Sequence, residues 1–164
     1  MKPDALAPPG PHLKSAVIGS WKLVSREDYD REGRRNIDPI LGADPIGILT
    51  FTSGHFAAQF MNRRRGPNAS GMVPAGASSN ASSAAPLNNS VAVDGYDAYF
   101  GTYTLDAAAG TITTTLEGSV APANIGVRLT RDIRVEGDRL LIRLGTTAAD
   151  GTPITRTNTF ERLP

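Results

Sequence analysis

Short runs of alternating apolar and polar residues, rich in Val, Ile, Thr, Tyr and Phe, recur along most of the chain. Alternation with a period of two is typical of strands that bury one face. It predicts eight strands, over residues 20–28, 47–52, 55–62, 96–106, 111–118, 127–136, 139–145 and 154–163. Helical periodicity is scarce, and only residues 13–18 are expected to form a short helical turn before the first strand.

Short and long connections alternate strictly between these predicted strands. The short ones are Ser53-Gly54, residues 107–110 and Gly137-Asp138, and the long ones are residues 29–46, 63–95, 119–126 and 146–153. In an up-and-down meander, alternate connections lie at opposite ends, so tight turns close one end and long loops surround the other. The predicted fold class is therefore all-β, an eight-stranded up-and-down antiparallel barrel with a short N-terminal helical turn and room inside for one small ligand.

Two segments have compositions that do not favour a packed core. Residues 1–12 contain four prolines and are interpreted as a flexible leader, which leaves residues 13–164 as a single barrel domain. Residues 66–92 are mostly Gly, Pro, Asn, Ala and Ser. Such a segment buries too little apolar surface to offset the entropy of ordering it, so a flexible loop at the open end is expected. The alternative is a lid over the mouth.

The composition and charge exclude several kinds of chemistry. The chain of 164 residues has no cysteine and two histidines, which excludes disulfides, thiol nucleophiles and cysteine or multi-histidine metal sites. Its 17 basic and 16 acidic residues lack the charge excess that nucleic-acid binding needs. No apolar run is long enough to span a membrane. We therefore expect a cytoplasmic protein with no metal, no cofactor, and neither nucleic acid nor a membrane as its partner.

The lengths of the short turns set the hairpin registers, and a register decides which side chains face the barrel interior. The turn Ser53-Gly54 pairs Phe51 with Phe56. The residues that share this face are the more apolar set, so they are placed inside as part of a ligand site: Leu49, Phe51, Phe56, Ala58 and Phe60.

The two other hairpins place charged residues on the inner face. Centring the turn between these strands on Ala108 pairs Tyr99 with Glu117, and the turn Gly137-Asp138 puts Arg131 inside. When the connection between these hairpins is also centred, Glu117 and Arg131 become diagonal neighbours, which long side chains can bridge. The pattern predicts a Tyr99–Glu117–Arg131 cluster in the cavity.

This cluster has two interpretations. Buried charges normally occur in pairs, so it would be a structural ion pair with a tyrosine hydroxyl that satisfies it. Alternatively, convergent polar groups in an apolar pocket orient or polarise a ligand, which makes Glu117, Arg131 and Tyr99 the candidate catalytic residues. Further candidate ligand contacts on the predicted inner face are Tyr103, Thr115, Leu129, Arg156 and Asn158.

Several short motifs resemble those of a known family. Gly19-Ser20-Trp21 resembles the Gly-x-Trp motif that opens the first lipocalin strand. Together with the segments at residues 42–52, 96–103, 116–119 and 137–140, it resembles the lipocalin-like domain family of bacteria and fungi, within the calycin group. The resemblance covers residues 16–163 and implies a barrel for small, mostly apolar molecules. It also implies that Trp21 plugs the barrel base near an arginine, for which Arg131 is a candidate.

The resemblance implies no single reaction. Some members bind ligands, while lipocalin-like proteins of natural-product pathways include cofactor-free cyclases and isomerases. Thr113, Thr114 and Thr115 stand where a histidine often occurs in the family, which argues against histidine chemistry at this point.

Two functions therefore remain. The first is binding of a small, mostly hydrophobic molecule; the alternative is a cofactor-independent isomerase or cyclase of natural-product biosynthesis that uses Glu, Tyr, Arg and cavity shape.

Two groups of arginines lie in long connections at the same open end of the barrel. One connection contains Arg31, Arg34 and Arg35, and the next contains the three arginines at residues 63–65. These arginines either belong to turns exposed to solvent or form a basic rim that attracts an anionic ligand. The sequence leaves open whether the chain forms a homo-oligomer.

Overall fold

Strands make up most of what the structure, a computed structural model, describes, namely residues 12–66 and 92–164. The helical elements of this part are α1 (Leu13–Ala16) and a 3-10 turn at Pro122–Asn124. The strands are β1 (Gly19–Asp30), β2 (Arg35–Asn36), β3 (Ile46–Phe51), β4 (His55–Met61), β5 (Tyr96–Asp106), β6 (Thr111–Ser119), β7 (Arg128–Glu136), β8 (Arg139–Thr147) and β9 (Pro153–Arg162). The predicted leader and the predicted flexible loop lie outside the described residues, apart from their end positions.

The strands form one antiparallel sheet that closes on itself. From β3 to β9 each strand pairs with the next in the chain, β1 pairs with β3, and the pairing of β1 with β9 closes the barrel. The additional β2 only extends β1 as a small hairpin, in which the Asp30 carboxylate accepts hydrogen bonds from the amides of Glu32 and Arg34. The predicted eight-stranded up-and-down barrel is confirmed, and the ends of its strands lie within two residues of their predicted positions.

Two of the three predicted hairpin registers are confirmed. Phe51 pairs with Phe56 across the turn at Ser53-Gly54. The turn at Gly137-Asp138 aligns β7 with β8 so that Arg131 is buried inside the barrel, as predicted. Both turns have two residues with a glycine at positive φ, and such tight turns fix the register of the strands they join.

The register predicted for β5 and β6 is wrong by one residue, which reverses the faces of β6. Asp106 pairs with Thr111, so all four residues at 107–110 belong to the turn. The Asp106 carboxylate accepts hydrogen bonds from two amides of this turn and stabilises it. As a result Thr114 is buried in the interior and Glu117 is exposed.

The register predicted for β6 and β7 is wrong by three residues. Leu129 pairs with Thr114 rather than with Glu117. The connection is not symmetric, because the last ladder pair joins Thr115 to Arg128, four residues before β6 ends at Ser119. The 3-10 turn then takes up part of the chain before β7 begins.

An apolar plug fills the end of the barrel that the tight turns close. Trp21 is fully buried, and its indole Nε1 donates a hydrogen bond to the Val17 carbonyl at 2.8 Å. The guanidinium of Arg162 lies over the indole, 4.1 Å from the ring centroid. The prediction that Trp21 plugs the base is confirmed, but the arginine beside it is Arg162 on β9. Arg131 was the wrong candidate because its side chain lines the cavity above the plug.

Candidate functional site

A cavity inside the barrel receives side chains from every strand between β3 and β9. It encloses about 390 Å³ of space free of atoms, part of which is open to solvent, and about 30 Å³ can hold the centre of a water-sized sphere. The cavity therefore has room for about one or two water molecules as it stands. A larger molecule can enter only if side chains of the wall move.

Aromatic rings form most of one side of this cavity. Phe56 and Tyr99 meet edge to face with ring centroids 6.1 Å apart, and Tyr99 also packs against Phe60 at 6.2 Å. Phe60 in turn lies 6.4 Å from Phe160 across the barrel. Such offset and edge contacts leave flat, apolar faces, which suit a flat apolar molecule.

The polar part of the wall centres on Arg131. Its side chain is 92% buried, with 8% relative exposure, and its Nη1 donates a hydrogen bond to the Thr114 hydroxyl at 2.7 Å. Burial lowers the pKa of the guanidinium, and an electrostatic interaction with Tyr99 opposes that change. An arginine side chain stays charged in proteins. The cavity therefore contains a fixed positive charge.

Two further polar groups face the same space. Burial raises the pKa of the Tyr99 hydroxyl, and the positive charge of Arg131 offsets part of that rise. Asn158 lines the cavity from β9, and its Oδ1 is shielded from solvent without a hydrogen-bond partner among the described residues. A buried acceptor without a partner costs free energy, so a donor from a bound molecule would stabilise it.

Seven of the residues predicted from the sequence line the cavity: Leu49, Phe51, Phe56, Phe60, Tyr99, Arg131 and Asn158. Their side chains face inward because the strand registers and the alternation of side chains along each strand place them there. Their roles in binding or catalysis stay predictions.

Two predicted site residues do not face the interior. Glu117 is exposed, and Thr115 lies on the same outward face of β6. Both were placed inside because the turn between β5 and β6 was taken as one residue shorter than it is. The predicted Tyr99–Glu117–Arg131 cluster is therefore wrong, and Arg131 bonds to Thr114 in place of Glu117.

The four other predicted contacts do not line the cavity. Ala58 is buried on the inner face of β4, between Phe56 and Phe60, and Leu129 is half-buried. The hydroxyl of Tyr103 donates a hydrogen bond to the Thr52 carbonyl at the base of the barrel. Arg156 is buried in an ion pair, which is described below.

Sequence reasoning missed four residues of the wall: Ile112, Thr114, Ile142 and Phe160. The register error on β6 hid Ile112 and Thr114. Phe160 could have been found, because it alternates in phase with Asn158 on the same strand.

A second polar layer lies in the barrel towards the open end. Asp28 accepts two hydrogen bonds from Arg156, at 2.8 and 2.7 Å, and both side chains are buried. Arg26 donates to Asp38 at 2.9 Å, from β1 to the loop between β2 and β3. A bulge in β1 after Leu23 shifts its alternation, and this places the side chains of Arg26 and Asp28 inside. Each of the two arginines therefore has its own carboxylate.

A third carboxyl group in this layer, that of Asp97, was also missed. Asp97 has 0% relative exposure, and neither of its oxygens has a hydrogen-bond partner among the described residues. Burial raises its pKa to about 7, although the positive charge of Arg26 lowers it in part. Its position could have been predicted, because Asp97 precedes the inward-facing Tyr99 by two residues on β5.

The predicted basic rim is partly neutralised. Arg34 forms ion pairs with Asp30 and Glu32, and Arg63 pairs with Asp44. These side chains are exposed, except for that of Asp30, and exposed pairs contribute little to stability. The role of the rim in attracting a ligand stays a prediction.

Residues 12–66 and 92–164 contain no group of three or more His, Cys, Asp or Glu side chains arranged to hold a metal ion. Within the same ranges, no helix has the length and apolar character needed to cross a membrane.

The chain matches a known protein family. A family model described as a lipocalin-like domain matches residues 18–161. This range includes every strand of the barrel, apart from the last residue of β9, and all of the cavity wall. No curated protein matches the chain.

Proposed function

Because the chain belongs to the lipocalin-like domain family, we propose that its barrel binds a small, mostly apolar molecule with an anionic or hydrogen-bond-accepting head group. The apolar body packs against the rings of Phe56, Phe60 and Tyr99, and the head group faces Arg131. The Thr114 hydroxyl holds the guanidinium in place for this contact.

The observation that carries the proposal is the buried guanidinium of Arg131 on a wall that is mostly apolar and lined by aromatic rings. Arginine binds carboxylate and similar planar anions with two parallel hydrogen bonds, which gives both affinity and orientation. Asn158 adds an acceptor, so a ligand that also carries a hydroxyl or N–H donor fits better than one without.

Entry of such a molecule requires the aromatic wall to open. The space that a water-sized sphere can occupy, about 30 Å³, is far smaller than the roughly 300–1,000 Å³ of pockets that hold drug-sized molecules. Tyr99 contacts both Phe56 and Phe60, so rotation of these rings would enlarge the cavity without a change of the barrel. Binding should therefore alter tyrosine fluorescence.

The first experiment identifies what the cavity holds. The protein is purified, denatured in organic solvent, and the extract is analysed by mass spectrometry. A recovered molecule with an apolar body and an acidic group supports the proposal. A recovered cationic molecule in stoichiometric amount would contradict it.

The second experiment places binding in the cavity. The neutral apolar probe N-phenyl-1-naphthylamine is titrated against the parent and against Ile142→Phe, which adds volume to the wall. Leu141→Phe, at the adjacent position that faces outward, is the matched control. The proposal expects Ile142→Phe to weaken binding about tenfold or more, because overpacking a cavity costs about 1–3 kcal/mol, while Leu141→Phe leaves it unchanged. Equal effects of the two variants would mean that the probe binds elsewhere.

The alternative function, a cofactor-independent isomerase or cyclase in the same cavity, has one observation in its favour. Tyr99 and Arg131 line the cavity. Asp97 lies on the same face of β5, two residues before Tyr99, and its pKa is raised to about 7. Such groups could polarise a carbonyl and move a proton.

This alternative is tested with a small apolar ketone, 2-tetralone, in heavy water. An isomerase of this kind should accelerate deuterium exchange at the carbon next to the carbonyl, observed by NMR, and Asp97→Asn should lose that acceleration. Exchange at the rate of buffer alone leaves binding as the function. A cytoplasmic location is part of the proposal and is tested by fractionation of the producing cells.

A further inference from the structure

A carboxyl group without its own cation lies two residues from Tyr99, on the same face of β5. Asp97 pairs with Phe60 across β4 and β5, and Phe60 lines the cavity. Tyr99, the next inward residue of β5, lines the cavity as well. Asp97 itself is fully buried, with both carboxyl oxygens unpartnered among the described residues. The group thus belongs to the same interior as the cavity, one position nearer to the open end.

The charges around Asp97 are already matched without it. Arg26 bonds to Asp38, and Arg156 bonds to Asp28. Asp97 interacts electrostatically with both arginines, and with Asp38, but lies beyond ion-pair distance of either cation. The residue that pairs with Asp97 on the neighbouring strand β4 is Phe60, which is uncharged. A negative charge on Asp97 is therefore the surplus charge of this layer.

An anion in the cavity would compete with that charge. Tyr99 interacts electrostatically with Arg131, Asp97, Arg26 and Arg156. Tyr99 therefore lies close to both Arg131 and Asp97. The negative charge of an anion held beside Tyr99 and that of Asp97 repel each other in a medium of low dielectric constant. Protonation of Asp97 removes this repulsion. A neutral ligand would not repel the charge of Asp97.

We propose that Asp97 takes up a proton when an anionic ligand binds beside Arg131 and Tyr99, so that the barrel binds anions together with a proton. The inference rests on the proposed function and adds a regulation to it. Affinity for an anion rises as the pH falls, because the protonated form of Asp97 is the binding form. Affinity for a neutral molecule of the same shape does not depend on pH in this way.

The test uses two probes that share one aromatic skeleton. 8-Anilinonaphthalene-1-sulfonate carries a sulfonate that stays ionised, and N-phenyl-1-naphthylamine lacks it. Calorimetric titration at pH 7 in phosphate and in imidazole buffer, which have different ionisation enthalpies, gives the number of protons taken up on binding. Fluorescence titration between pH 5.5 and 8.5 gives the dissociation constants.

For the parent we expect uptake of about half a proton per sulfonate probe at pH 7, and binding about tenfold weaker at pH 8.5 than at pH 5.5. Asp97→Asn should abolish both effects and bind the sulfonate probe at pH 8.5 about as well as the parent does at pH 5.5. Glu117→Gln, the same chemical change on the outside of the barrel, should behave like the parent.

Three results would overturn the inference, and they are distinguishable. Binding of the sulfonate probe without proton uptake contradicts the coupling but leaves the proposed function standing. Uptake that persists in Asp97→Asn assigns the proton to another group. Failure of both probes to bind the folded parent contradicts the proposed function, and the inference with it. Thermal unfolding of each variant verifies that the barrel has formed.

Discussion

Arg131 on β7 donates a hydrogen bond from Nη1 to the Thr114 hydroxyl on β6, at 2.7 Å, inside the barrel. The two residues are not direct partners in the sheet, because Arg131 pairs with Ile112 and Thr114 with Leu129. The bond is thus a diagonal contact on the inner face. It fixes the direction of a charged side chain that would otherwise have several rotamers, and it makes Thr114 a positioning residue for the proposed head-group site.

Removal of the Thr114 hydroxyl tests this contact. Thr114→Val keeps the shape of the side chain and deprives a buried, charged donor of its acceptor, which should cost about 1–3 kcal/mol of unfolding free energy. Thr113→Val is the control, because the Thr113 hydroxyl bonds to Thr130 on the exposed face at 2.8 Å. Urea unfolding of both variants measures the difference. Equal, small losses would show that the inner bond does not stabilise the fold.

The buried pair of Asp28 and Arg156 should be costly to break from one side. Asp28→Asn leaves the Arg156 guanidinium without its counter-charge, and we expect a loss of about 3–5 kcal/mol in urea unfolding. The double variant Asp28→Leu/Arg156→Met should recover much of that loss, since it leaves no buried charge behind. Glu161→Gln removes the exposed pair with Lys22 and should change stability little. Additive losses in the double variant would contradict a coupled pair.

The plug at the barrel base should depend on the geometry of Arg162. Its Nη1 and Nη2 donate to the carbonyls of Ile18 and Ala16, at 2.9 and 2.6 Å, while the guanidinium covers Trp21. Arg162→Lys keeps the charge but loses the planar fork and the stacking, so we expect about 1–2 kcal/mol of destabilisation. Arg139→Lys, an exposed position at the start of β8, is the control.

Native tryptophan emission reports on the same plug. It should stay resistant to iodide quenching in the parent, because Trp21 is fully buried. Strong quenching of the folded parent would contradict the position of the indole.

Stability should fall with rising pH because of Asp97. Its pKa is 3.8 in the unfolded reference and about 7 in the fold. Between these values the folded state holds a proton that the unfolded chain has lost, so the free energy of unfolding falls by at most about 1.4 kcal/mol per pH unit. Asp97→Asn has no such slope and should become more stable than the parent at pH 7.5. Parallel pH profiles of the two proteins, measured by urea unfolding from pH 4.5 to 7.5, would contradict the buried carboxyl.

Much of the barrel could be predicted from the sequence because short turns leave little choice. Two-residue turns with glycine fixed the β3–β4 and β7–β8 registers, and so the inward positions of Phe51 and Arg131. The predicted pairing corresponds to a three-residue turn centred on Ala108, whereas the turn after Asp106 has four residues. This difference of one residue decided whether Glu117 or Thr114 faced the cavity. Local composition does not distinguish these registers, whereas the hydrogen bonds of the Asp106 carboxylate do.

The buried charged residues near the open end could not be predicted from turn lengths, for a different reason. Strict alternation from Trp21 places Arg26 and Asp28 outside, and only the bulge after Leu23 brings them in. A bulge inserts one residue without a reliable signal in the sequence. Asp97 was accessible to prediction, since its parity follows from that of Tyr99. Residue type alone does not indicate it, because a carboxylate is rarely buried without a partner.

The central claim, that the barrel holds an apolar molecule with its anionic head at Arg131, is tested most directly by one comparison of dissociation constants. 8-Anilinonaphthalene-1-sulfonate and N-phenyl-1-naphthylamine are titrated at pH 6 against the parent, Arg131→Gln and the control Arg128→Gln, whose position on β7 is exposed. The account predicts that Arg131→Gln weakens binding of the sulfonate about tenfold or more, the usual worth of a hydrogen bond to a charged group, and hardly changes binding of the neutral probe. Equal weakening of both probes, or none for the sulfonate, would contradict it.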